Sequence, residues 1–413
     1  MKETIKNIYE YLDNKFYFKL LYLFVSLTYV TILRYIPGIN LLKYIVFAWG
    51  IILILLFIIE DYKRRKIYKF DIPLGLFMIV TLLFNIFAYR NTDNFTVWMV
   101  NLILFVIIFT VDVFRNKKAM IKEMNIITYF YVIFMFIASG ISLAMHFFEI
   151  KIGISSDVVF ELSGVKGGIF DNKNALSIAA ALAIVMCIYL NYITQNHKLK
   201  LFWLANIILQ AIILMVGSHG RSADLIVIAV VYLFIFVYNK NKYLRIALIL
   251  IPILGVGVFW QLDENNIRNF TSGRSSLWTS ASIVIKDNPL TGVGYDDMTK
   301  AVRAARETDD LPGLDTGRLH NIYVETATTN GVISLLLFLS FLGVILMFIV
   351  EQLDKLQQRK EKIQMTTLTA LVVGIIAVNL FESDLIYSAN FISMIFWIYL
   401  GYLVSILDNK NID

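Results

Sequence analysis

The chain has 413 residues, of which 58% are hydrophobic and 16% are charged, and its formal net charge at pH 7 is +6. So much apolar surface cannot be buried in one water-soluble core, so the composition excludes an ordinary soluble protein and indicates an integral membrane protein. The five prolines and the single cysteine, Cys187, exclude a disulfide framework and a cysteine-rich metal cluster. In a membrane protein the positions of the positive charges matter more than their sum, so the net charge predicts no nucleic-acid partner.

Hydrophobic runs long enough to cross a bilayer recur along the whole chain. They lie near residues 17–36, 41–59, 71–89, 96–114, 124–149, 175–193, 201–217, 222–238, 246–260, 332–350, 365–381 and 388–406. The sequence therefore predicts an all-α, multi-pass membrane protein of about 12 transmembrane helices. Residues 1–260 hold the first nine predicted helices, residues 261–331 form a large loop with short helices, and residues 332–413 hold the last three.

Lysines and arginines concentrate in the connections on one side of these predicted helices. They are found at 63–69, 115–122, 198–200, 240–245 and 355–362, and in the N-terminal tail. By the positive-inside rule this side is cytoplasmic. We therefore expect a protein of the bacterial cytoplasmic membrane with both termini inside, and we expect the loop 261–331 to lie outside.

The long loop contains apolar residues that recur at helical spacing. They are Leu277, Trp278, Ala281, Val284 and Ile285. This pattern predicts an amphipathic helix that lies against the membrane surface or against the helix bundle. Thr271 and Ser272 supply cap-type residues before this helix, and Asn288-Pro289 ends it.

Three arginines are expected on the outer side. Arg274 begins the amphipathic helix, where backbone amides favour an anion, so it either binds phosphate or anchors the helix to lipid headgroups. Arg221 lies in "SHGRS" (218–222), between two apolar runs at the edge of the bilayer, and we expect it to face a polar cavity because an arginine in lipid is costly. For Arg34, near the outer end of the first run, we expect extension towards the headgroups.

His320 is the candidate general base. It opens a predicted helical segment in which Tyr323 follows on the same face and Asn330-Gly331 ends the segment. A lone histidine is more often structural, but a histidine that shares an outer surface with two arginines suits proton abstraction from a substrate that carries an anion. His219 is given no proton transfer, and the sequence offers no further ligands for a histidine-bound zinc, so no metal is expected.

Two carboxylates, Glu382 and Asp384, lie at the outer end of the eleventh run, where the membrane edge leaves them few structural roles, and they are the alternative bases. The acids of the long loop are interpreted as solvated side chains. They are Asp296, Asp297, Asp309, Asp310 and Asp315.

A second outer connection contains "GGIFDNKNALS" at 167–177. Gly167 and Gly168 permit tight turns, whereas Asp171, Asn172 and Asn174 are residues that cap helices and also hydrogen-bond sugar hydroxyls. Capping is the expected role, and Asn174 is also retained as a candidate substrate-binding residue.

The motifs together resemble the superfamily of O-antigen ligases and Wzy-type polysaccharide polymerases. The matching pieces are "GIFDNKNALS", "SHGRS", "GRSSLW" with "DNPLTGVGYDDM", and "HNIYVETATTNGVISLLLFL", in that order on one outer face. The detailed resemblance covers roughly residues 160 to 350. It implies a C-type glycosyltransferase architecture without metal or cofactor, and it carries the family's essential arginines to Arg221 and Arg274 and its histidine to His320.

The resemblance implies transfer of a glycan from undecaprenyl pyrophosphate to a hydroxyl acceptor outside the cytoplasm, with inversion. Arg221 and Arg274 would hold the pyrophosphate in place of a metal, and His320 would take the acceptor proton. The remaining candidate substrate-binding residues are Asn174, Tyr295, Tyr323, Glu382 and Asp384. Besides the lipid-linked oligosaccharide and the bilayer, a chain-length regulator protein is an optional partner.

Three functions remain in competition on the sequence alone. The composition, rich in Ile, Lys, Asn, Phe and Tyr, favours a lineage without lipid A and hence a polymerase of O-antigen, capsular or exopolysaccharide repeat units. The alternatives are an O-antigen ligase that uses the lipid A core, and a flippase for lipid-linked oligosaccharides. The flippase is less favoured because the polar residues collect at the outer edge and not at mid-membrane depth.

Overall fold

The computed structural model describes residues 12–61, 66–155, 158–163, 166–216, 221–259, 261, 263–306 and 310–411. The chain is mostly helical. Its helices are α1 Lys15–Tyr29, α2 Ile39–Leu56, α3 Asp71–Phe84, α4 Thr92–Leu102, α5 Lys117–Phe147, α6 Lys173–Ile193, α7 His197–Val216, α8 Arg221–Tyr238, α9 Lys242–Phe259, α10 Glu264–Phe270, α11 Arg274–Asp287, α12 Met298–Ala304, α13 Ile322–Lys355, α14 Arg359–Val378 and α15 Phe391–Leu407. Two short strands, β1 Ile152–Gly153 and β2 Val159–Phe160, pair antiparallel before α6.

Short segments with other helical geometry extend or connect these helices. Wide π-helical turns continue α2 (Phe57–Asp61), α3 (Asn85–Tyr89) and α4 (Ile103–Ile108). Tighter 3₁₀ turns lie at Ile32–Tyr35, after α1, and at Leu314–Thr316, before α13.

Seven helices in the described parts of the chain are long and apolar enough to cross a membrane, by length and composition. They are Ile39–Ile59, Asp71–Tyr89, Lys117–Phe147, Lys173–Ile193, His197–Val216, Ile322–Lys355 and Arg359–Val378. Shorter apolar helices are Thr92–Ile108, Ser222–Tyr238 and Phe391–Leu407. The predicted class, an all-α multi-pass membrane protein, is consistent with this architecture, whereas the predicted number of twelve spans remains a prediction.

The last helix, α15, lies at the centre of the bundle. Every residue from Phe391 to Ile406 is buried, as expected for a helix that is hydrophobic on all sides. Its Trp397 contacts the rings of Phe105, Phe109 and Phe341, and its indole nitrogen donates to the carbonyl oxygen of Leu385 at 2.8 Å. The start of α15 is thereby held against the loop that precedes it, which is the loop that contains Glu382 and Asp384.

The segment between α9 and α13 has a small apolar core of its own. Leu277, Ala281 and Val284 of α11 pack there with residues of α12 and of the following turn. α11 also packs against α13, so the predicted amphipathic helix lies against the bundle. Of the two predicted cap residues, Thr271 accepts a hydrogen bond from Ser275 N at 3.1 Å, whereas Ser272 adopts a positive φ of 55° and Gly273 takes the cap position.

The loop after α11 is locked onto a break in α13. Gly331 interrupts that helix with φ 79° and ψ 170°, which agrees with the predicted end at Asn330-Gly331. Val332 N donates to Pro289 O at 2.8 Å, and Val293 N donates to Thr328 O at 3.0 Å. A Cβ atom on Gly331 would lie 2.0 Å from Leu290 O, so only glycine allows this approach. These backbone hydrogen bonds fix the position of α11 relative to the first part of α13.

Candidate active site

His320 lies immediately before α13, in a backbone conformation that non-glycine residues rarely adopt. Its φ is 51°, in the left-handed region. The next residue, Asn321, caps α13, because its side-chain oxygen accepts hydrogen bonds from Tyr323 N and Val324 N. His320 is therefore the last loop residue before the cap of α13.

The imidazole of His320 meets a carboxylate from the loop between α14 and α15. Its Nδ1 lies 3.2 Å from Oε2 of the buried Glu382. The main chains of the two segments are also joined, because Ile322 N donates to Glu382 O at 3.0 Å and Asn321 N donates to Ser383 Oγ at 3.1 Å. The pair is thus held by the backbone as well as by the side chains.

Glu382 brings together residues that the sequence had placed in separate motifs. Its Oε1 accepts hydrogen bonds from Asn174 Nδ2 and from an Arg274 guanidinium nitrogen, each at 3.3 Å. The predicted residues Asn174, Arg274, His320 and Glu382 therefore meet at one carboxylate. The resemblance gave no role to Glu382, which the structure places at the centre of the cluster.

The contact with Glu382 sets the protonation pattern of the imidazole. A carboxylate accepts a hydrogen bond from Nδ1–H, and the tautomer with its proton on Nδ1 leaves Nε2 with a lone pair. Nε2 lies 3.3 Å from Thr316 Oγ1, whose own hydroxyl donates to Gly313 O at 2.7 Å. The hydroxyl proton of Thr316 is therefore already used, and Nε2 is the atom able to accept a proton.

Gly313 makes room for the imidazole. It has φ 89°, and a Cβ atom there would lie 2.6 Å from His320 Nε2. A side chain at this position would be strained and would displace the ring.

A cavity of about 420 Å³ opens beside His320. Its polar wall is formed by Asn172, Lys173, Asn174, Thr316, Arg318, His320, Glu382, Ser383, Asp384 and Asn390. Its apolar wall is formed by Val30, Ala175, Ile178, Phe391 and Ile392. The volume is in the range of small-molecule sites, and the charged groups converge on one part of the wall.

The cation most firmly held at this cavity is Arg318, which sequence reasoning had missed. One guanidinium nitrogen donates to Oε1 of the fully buried Glu325 at 2.9 Å, and the other Glu325 oxygen accepts from Leu319 N at 2.9 Å. Burial opposes the charge of Arg318, but Glu325, together with Tyr295 and Asp384, more than offsets this, so the pKa of Arg318 is raised and the guanidinium stays charged. The sequence signal was the pattern "RLHNIYVE", in which both partners flank His320.

Asp384 is the second carboxylate of the cavity. Its Oδ1 accepts a hydrogen bond from Asn390 Nδ2 at 2.6 Å, and its backbone N–H donates to Asn379 Oδ1 at 2.6 Å. Burial, and next the charge of Glu382, raise the pKa of Asp384 to about 6. Asp384 is therefore a carboxyl group that changes charge near neutral pH.

Arg274 does not line the cavity. Its guanidinium donates to the carbonyl oxygen of Phe381 and to Glu382, on the far side of that carboxylate from the imidazole. Arg274 thus holds the loop that contains Glu382, and its predicted contact with pyrophosphate stays a prediction. For Arg221, the backbone begins α8 but the side chain lies outside the described residues, as does all of His219.

Three other predicted residues do not line the cavity and have partners elsewhere in the protein. The hydroxyl of Tyr323 donates to Ile376 O at 2.9 Å, and the ring of Tyr295 lies 5.7 Å from the guanidinium carbon of Arg318. Tyr295 thus packs against Arg318, which lines the cavity. Arg34 pairs with Asp171 at 2.7 Å, and its expected extension towards the headgroups stays a prediction.

The helix cap predicted for "GGIFDNKNALS" is present. Asn172 Oδ1 accepts a hydrogen bond from Ala175 N at 2.9 Å at the start of α6. Two acids of the long loop have side-chain partners: Asp296 accepts from Asn91 Nδ2, before α4, at 2.6 Å, and Asp315 pairs with Arg303 at 2.6 Å. Asp309 lies outside the described residues.

A second, mainly apolar cavity of about 510 Å³ lies next to the first, and Asn390 lines both. Its wall is formed by side chains of α1, α2 and α4 and by the turn before α15. They include Tyr22, Val25, Tyr29, Phe47, Val100 and Ala389. A polar, charged cavity and an apolar cavity are thus neighbours at one end of the bundle.

Residues 167–339 match the family model Wzy_C, described as O-Antigen ligase. The matched range contains Asn172, Asn174, Arg274, Arg318 and His320, and it ends before Glu382. No curated protein sequence matches the chain. The resemblance to O-antigen ligases and Wzy-type polymerases is confirmed by the family match.

Proposed function

We propose that this chain, a member of the O-antigen ligase and Wzy polymerase superfamily through its Wzy_C domain, polymerises polyprenyl-pyrophosphate-linked oligosaccharide repeat units. Members of the family are membrane glycosyltransferase-like enzymes, both ligases and polymerases. The observation that carries the proposal is the His320–Glu382 pair, which lies in the wall of a cavity that also contains Arg318 and Lys173. A base and two cations are the groups that this transfer requires.

His320 accepts the proton of the attacking sugar hydroxyl at Nε2. Glu382 holds Nδ1–H, orients the ring and stabilises the imidazolium that forms. As the hydroxyl oxygen bonds to the anomeric carbon of the donor, the bond from that carbon to the pyrophosphate oxygen breaks. A single direct displacement inverts the anomeric centre.

Arg318 and Lys173 stabilise the negative charge of the pyrophosphate as it leaves. A guanidinium offers paired N–H donors to phosphate oxygens, and partial burial strengthens this attraction. Arg274 supports the same step through its hold on Glu382, and Arg221 remains a proposed phosphate ligand. These cations take the place that a metal ion has in other transferases, so the reaction is proposed to be metal-independent.

The neighbouring apolar cavity supports a lipid-linked donor. A polyprenyl chain needs an apolar surface next to the site where its pyrophosphate is bound, and the two cavities share the wall residue Asn390. We place this end of the bundle at the outer face of the bacterial cytoplasmic membrane, as the distribution of Lys and Arg predicts.

The acceptor separates the polymerase from the ligase. The composition favours the polymerase, whereas the description of the matched family model favours the ligase. The decisive experiment supplies the purified protein with a defined lipid-linked repeat, with or without a lipid A core acceptor, and includes EDTA in a parallel reaction. We expect chains of several repeats on the lipid carrier without lipid A core, and equal yield in EDTA.

Two results would change this assignment. Transfer only to the lipid A core would identify a ligase, and movement of the repeat across vesicles without any polymer would identify a flippase. His320→Ala protein is the control for each reaction, because it lacks the proposed base. In cells, a deletion strain that accumulates single lipid-linked repeats would agree with the polymerase.

A further inference from the structure

A third cavity, of about 400 Å³, lies at the other end of the bundle from His320. The cavity beside His320 borders Val30, just after α1, and Phe391, at the start of α15, whereas this third cavity borders Lys19 near the start of α1 and Tyr402 near the end of α15. The eleven residues from 391 to 402 correspond to about 16 Å of helix. The sequence predicts this end to be cytoplasmic.

Lys19 is an isolated charge in the wall of this cavity. It is only 4% exposed, and its ammonium lies 4.8 Å from the centre of the Tyr402 ring. Among the residues that the structure describes, no carboxylate and no hydrogen-bond acceptor lies within bonding distance of this ammonium. A buried, unpaired ammonium costs several kcal/mol unless a counter-charge is present.

The nearby carboxylates are engaged elsewhere. Glu123 forms a paired contact with the guanidinium of Arg115 and also accepts from the Tyr402 hydroxyl at 3.0 Å. Asp112 accepts a backbone hydrogen bond from Phe114 N at 3.2 Å and is exposed. Neither side chain pairs with Lys19, and Asp13, the third carboxylate of this wall, forms no ion pair with it either. Among the described residues Lys19 therefore has no paired counter-charge, and an anion bound in the cavity would supply one.

Further donors belong to the same wall. Asn14 uses its side-chain oxygen to cap α1, where it accepts from Phe16 N and Tyr17 N, so its amide nitrogen is the group that remains able to donate. Lys15 also lines the cavity, and its ammonium lies 5.7 Å from the centre of the Phe57 ring. A ligand with several acceptor oxygens around one negative charge matches this set better than a single carboxylate does.

We propose that this cavity binds a phosphate group, with Lys19 as its principal charged contact and Lys15 and Asn14 as additional donors. Two sources supply that chemistry: the headgroup of an anionic phospholipid, and free phosphate or a phosphorylated small molecule. Basic pockets between transmembrane helices on the cytoplasmic side are known sites for anionic headgroups. The inference concerns the end of the bundle remote from His320, so it does not depend on the proposed polymerase activity.

The test compares the thermal stability of the full-length protein in nanodiscs of defined lipid. One arm adds inorganic phosphate to discs of phosphatidylcholine, with chloride at matched ionic strength as the reference. The other arm replaces part of the phosphatidylcholine by phosphatidylglycerol. A ligand that binds only the folded state raises Tm, so the arm that responds identifies the source of the phosphate group.

Lys19→Met should abolish this rise in Tm and weaken binding by about tenfold or more, the loss expected when one charge-assisted hydrogen bond is removed. The matched control is Lys118→Met, since Lys118 is an exposed lysine of α5, the helix whose Met120 and Glu123 line the cavity. The control should respond like the wild type. Without ligand, Lys19→Met should be at least as stable as the wild type, because it removes a buried unpaired charge.

The proposal is wrong if neither arm raises the Tm of the wild type, or if Lys19→Met responds as the wild type does. Should Lys19→Met fail to fold, Lys15→Met tests the same wall from a less buried position. A weaker response of Lys15→Met than of Lys118→Met supports the site, and an equal response overturns it.

Discussion

His320 and Glu382 are 62 positions apart in the chain, yet their side chains meet at 3.2 Å between Nδ1 and Oε2. The contact joins the residue before α13 to the loop before α15, and the backbone bonds of Ile322 and Asn321 to that loop keep the two together. The orientation of His320 therefore depends on the loop that contains Glu382. Because of this dependence, substitutions of Glu382 should lower activity through their effect on His320.

The first prediction concerns the coupling between Glu382 and His320. Glu382→Gln should lower the rate of repeat addition roughly 10- to 100-fold, by analogy with histidines that lose a carboxylate partner in metal sites. His320→Ala should lower it about 10²- to 10⁴-fold, while donor binding is largely retained. In the double variant, Glu382→Gln should have little further effect. Equal losses from Glu382→Gln in both backgrounds would give Glu382 a role of its own.

The second prediction concerns Arg318. Arg318→Lys should abolish most polymer formation, because a lysine cannot donate to Glu325 and to a phosphate oxygen with the same fork. The lysine variant is preferred to alanine, which would leave the buried charge of Glu325 without a cation and cost about 3–5 kcal/mol of stability. The control is Arg303→Lys, at an arginine that is 65% exposed and pairs with the exposed Asp315. Polymer yield near wild type in Arg318→Lys would assign Arg318 a purely structural role.

The third prediction uses two glycines of one loop. Gly313 and Gly317 both have positive φ, at 89° and 78°, but only a Cβ atom on Gly313 would meet His320, whereas nothing lies within 4 Å of one on Gly317. Both alanine variants carry the backbone strain, of the order of 1 kcal/mol. Gly313→Ala should also lower turnover at least about tenfold by displacing the imidazole, and Gly317→Ala should keep its turnover. Similar rates in the two variants would show that the space beside Nε2 is not needed.

Sequence reasoning succeeded where a local pattern determines the structure. Each predicted hydrophobic run overlaps a helix, and the spacing of Leu277, Ala281 and Val284 identified the buried face of α11. The order of the motifs was also sufficient to single out Asn174, Arg274 and His320, which meet at Glu382. Periodicity and capping chemistry act within a few residues, and therefore the sequence displays them.

The contacts that the sequence did not reveal join partners that are distant in the chain. Arg34 pairs with Asp171 across 137 positions, and no local pattern in either segment indicates this contact. The hydroxyl of Tyr323 bonds to Ile376 O because of how α13 and α14 pack, which periodicity does not define. The space that Gly313 leaves for the His320 ring depends on the conformation of a loop. Loop conformation follows no periodic sequence pattern, so this contact could not be predicted.

The fourth prediction concerns pH and Asp384. Its pKa in the folded protein is about 6, above the ordinary 3.8, so the folded state binds this proton more tightly than the unfolded chain does. The contribution of Asp384 to stability is therefore full below pH 3.8 and is lost as the pH rises through about 6. Asp384→Asn removes this titration, so its Tm minus that of the wild type should become more positive from about pH 4 to about pH 8. Asp315→Asn, at a side chain that is 90% exposed, is the control. A difference in Tm that does not change with pH would contradict the raised pKa.

The fifth prediction fixes the side of the membrane on which His320 lies. Lys118 is an exposed residue at the start of α5, the helix whose Met120 and Glu123 line the cavity of Lys19, and Asp315 is exposed in the turn before His320. The two positions therefore mark opposite ends of the bundle.

Cys187 is the only cysteine and is buried, so Cys187→Ala provides a background in which a single new cysteine is labelled. A cysteine introduced by Asp315→Cys should react with an impermeant maleimide in whole cells, whereas one introduced by Lys118→Cys should react only after the cells are opened, since positive connections stay inside. Labelling of both proteins in opened cells controls for access. The reverse pattern would place the His320 cavity in the cytoplasm, where a polymerase that extends glycans outside the cell cannot have its active site.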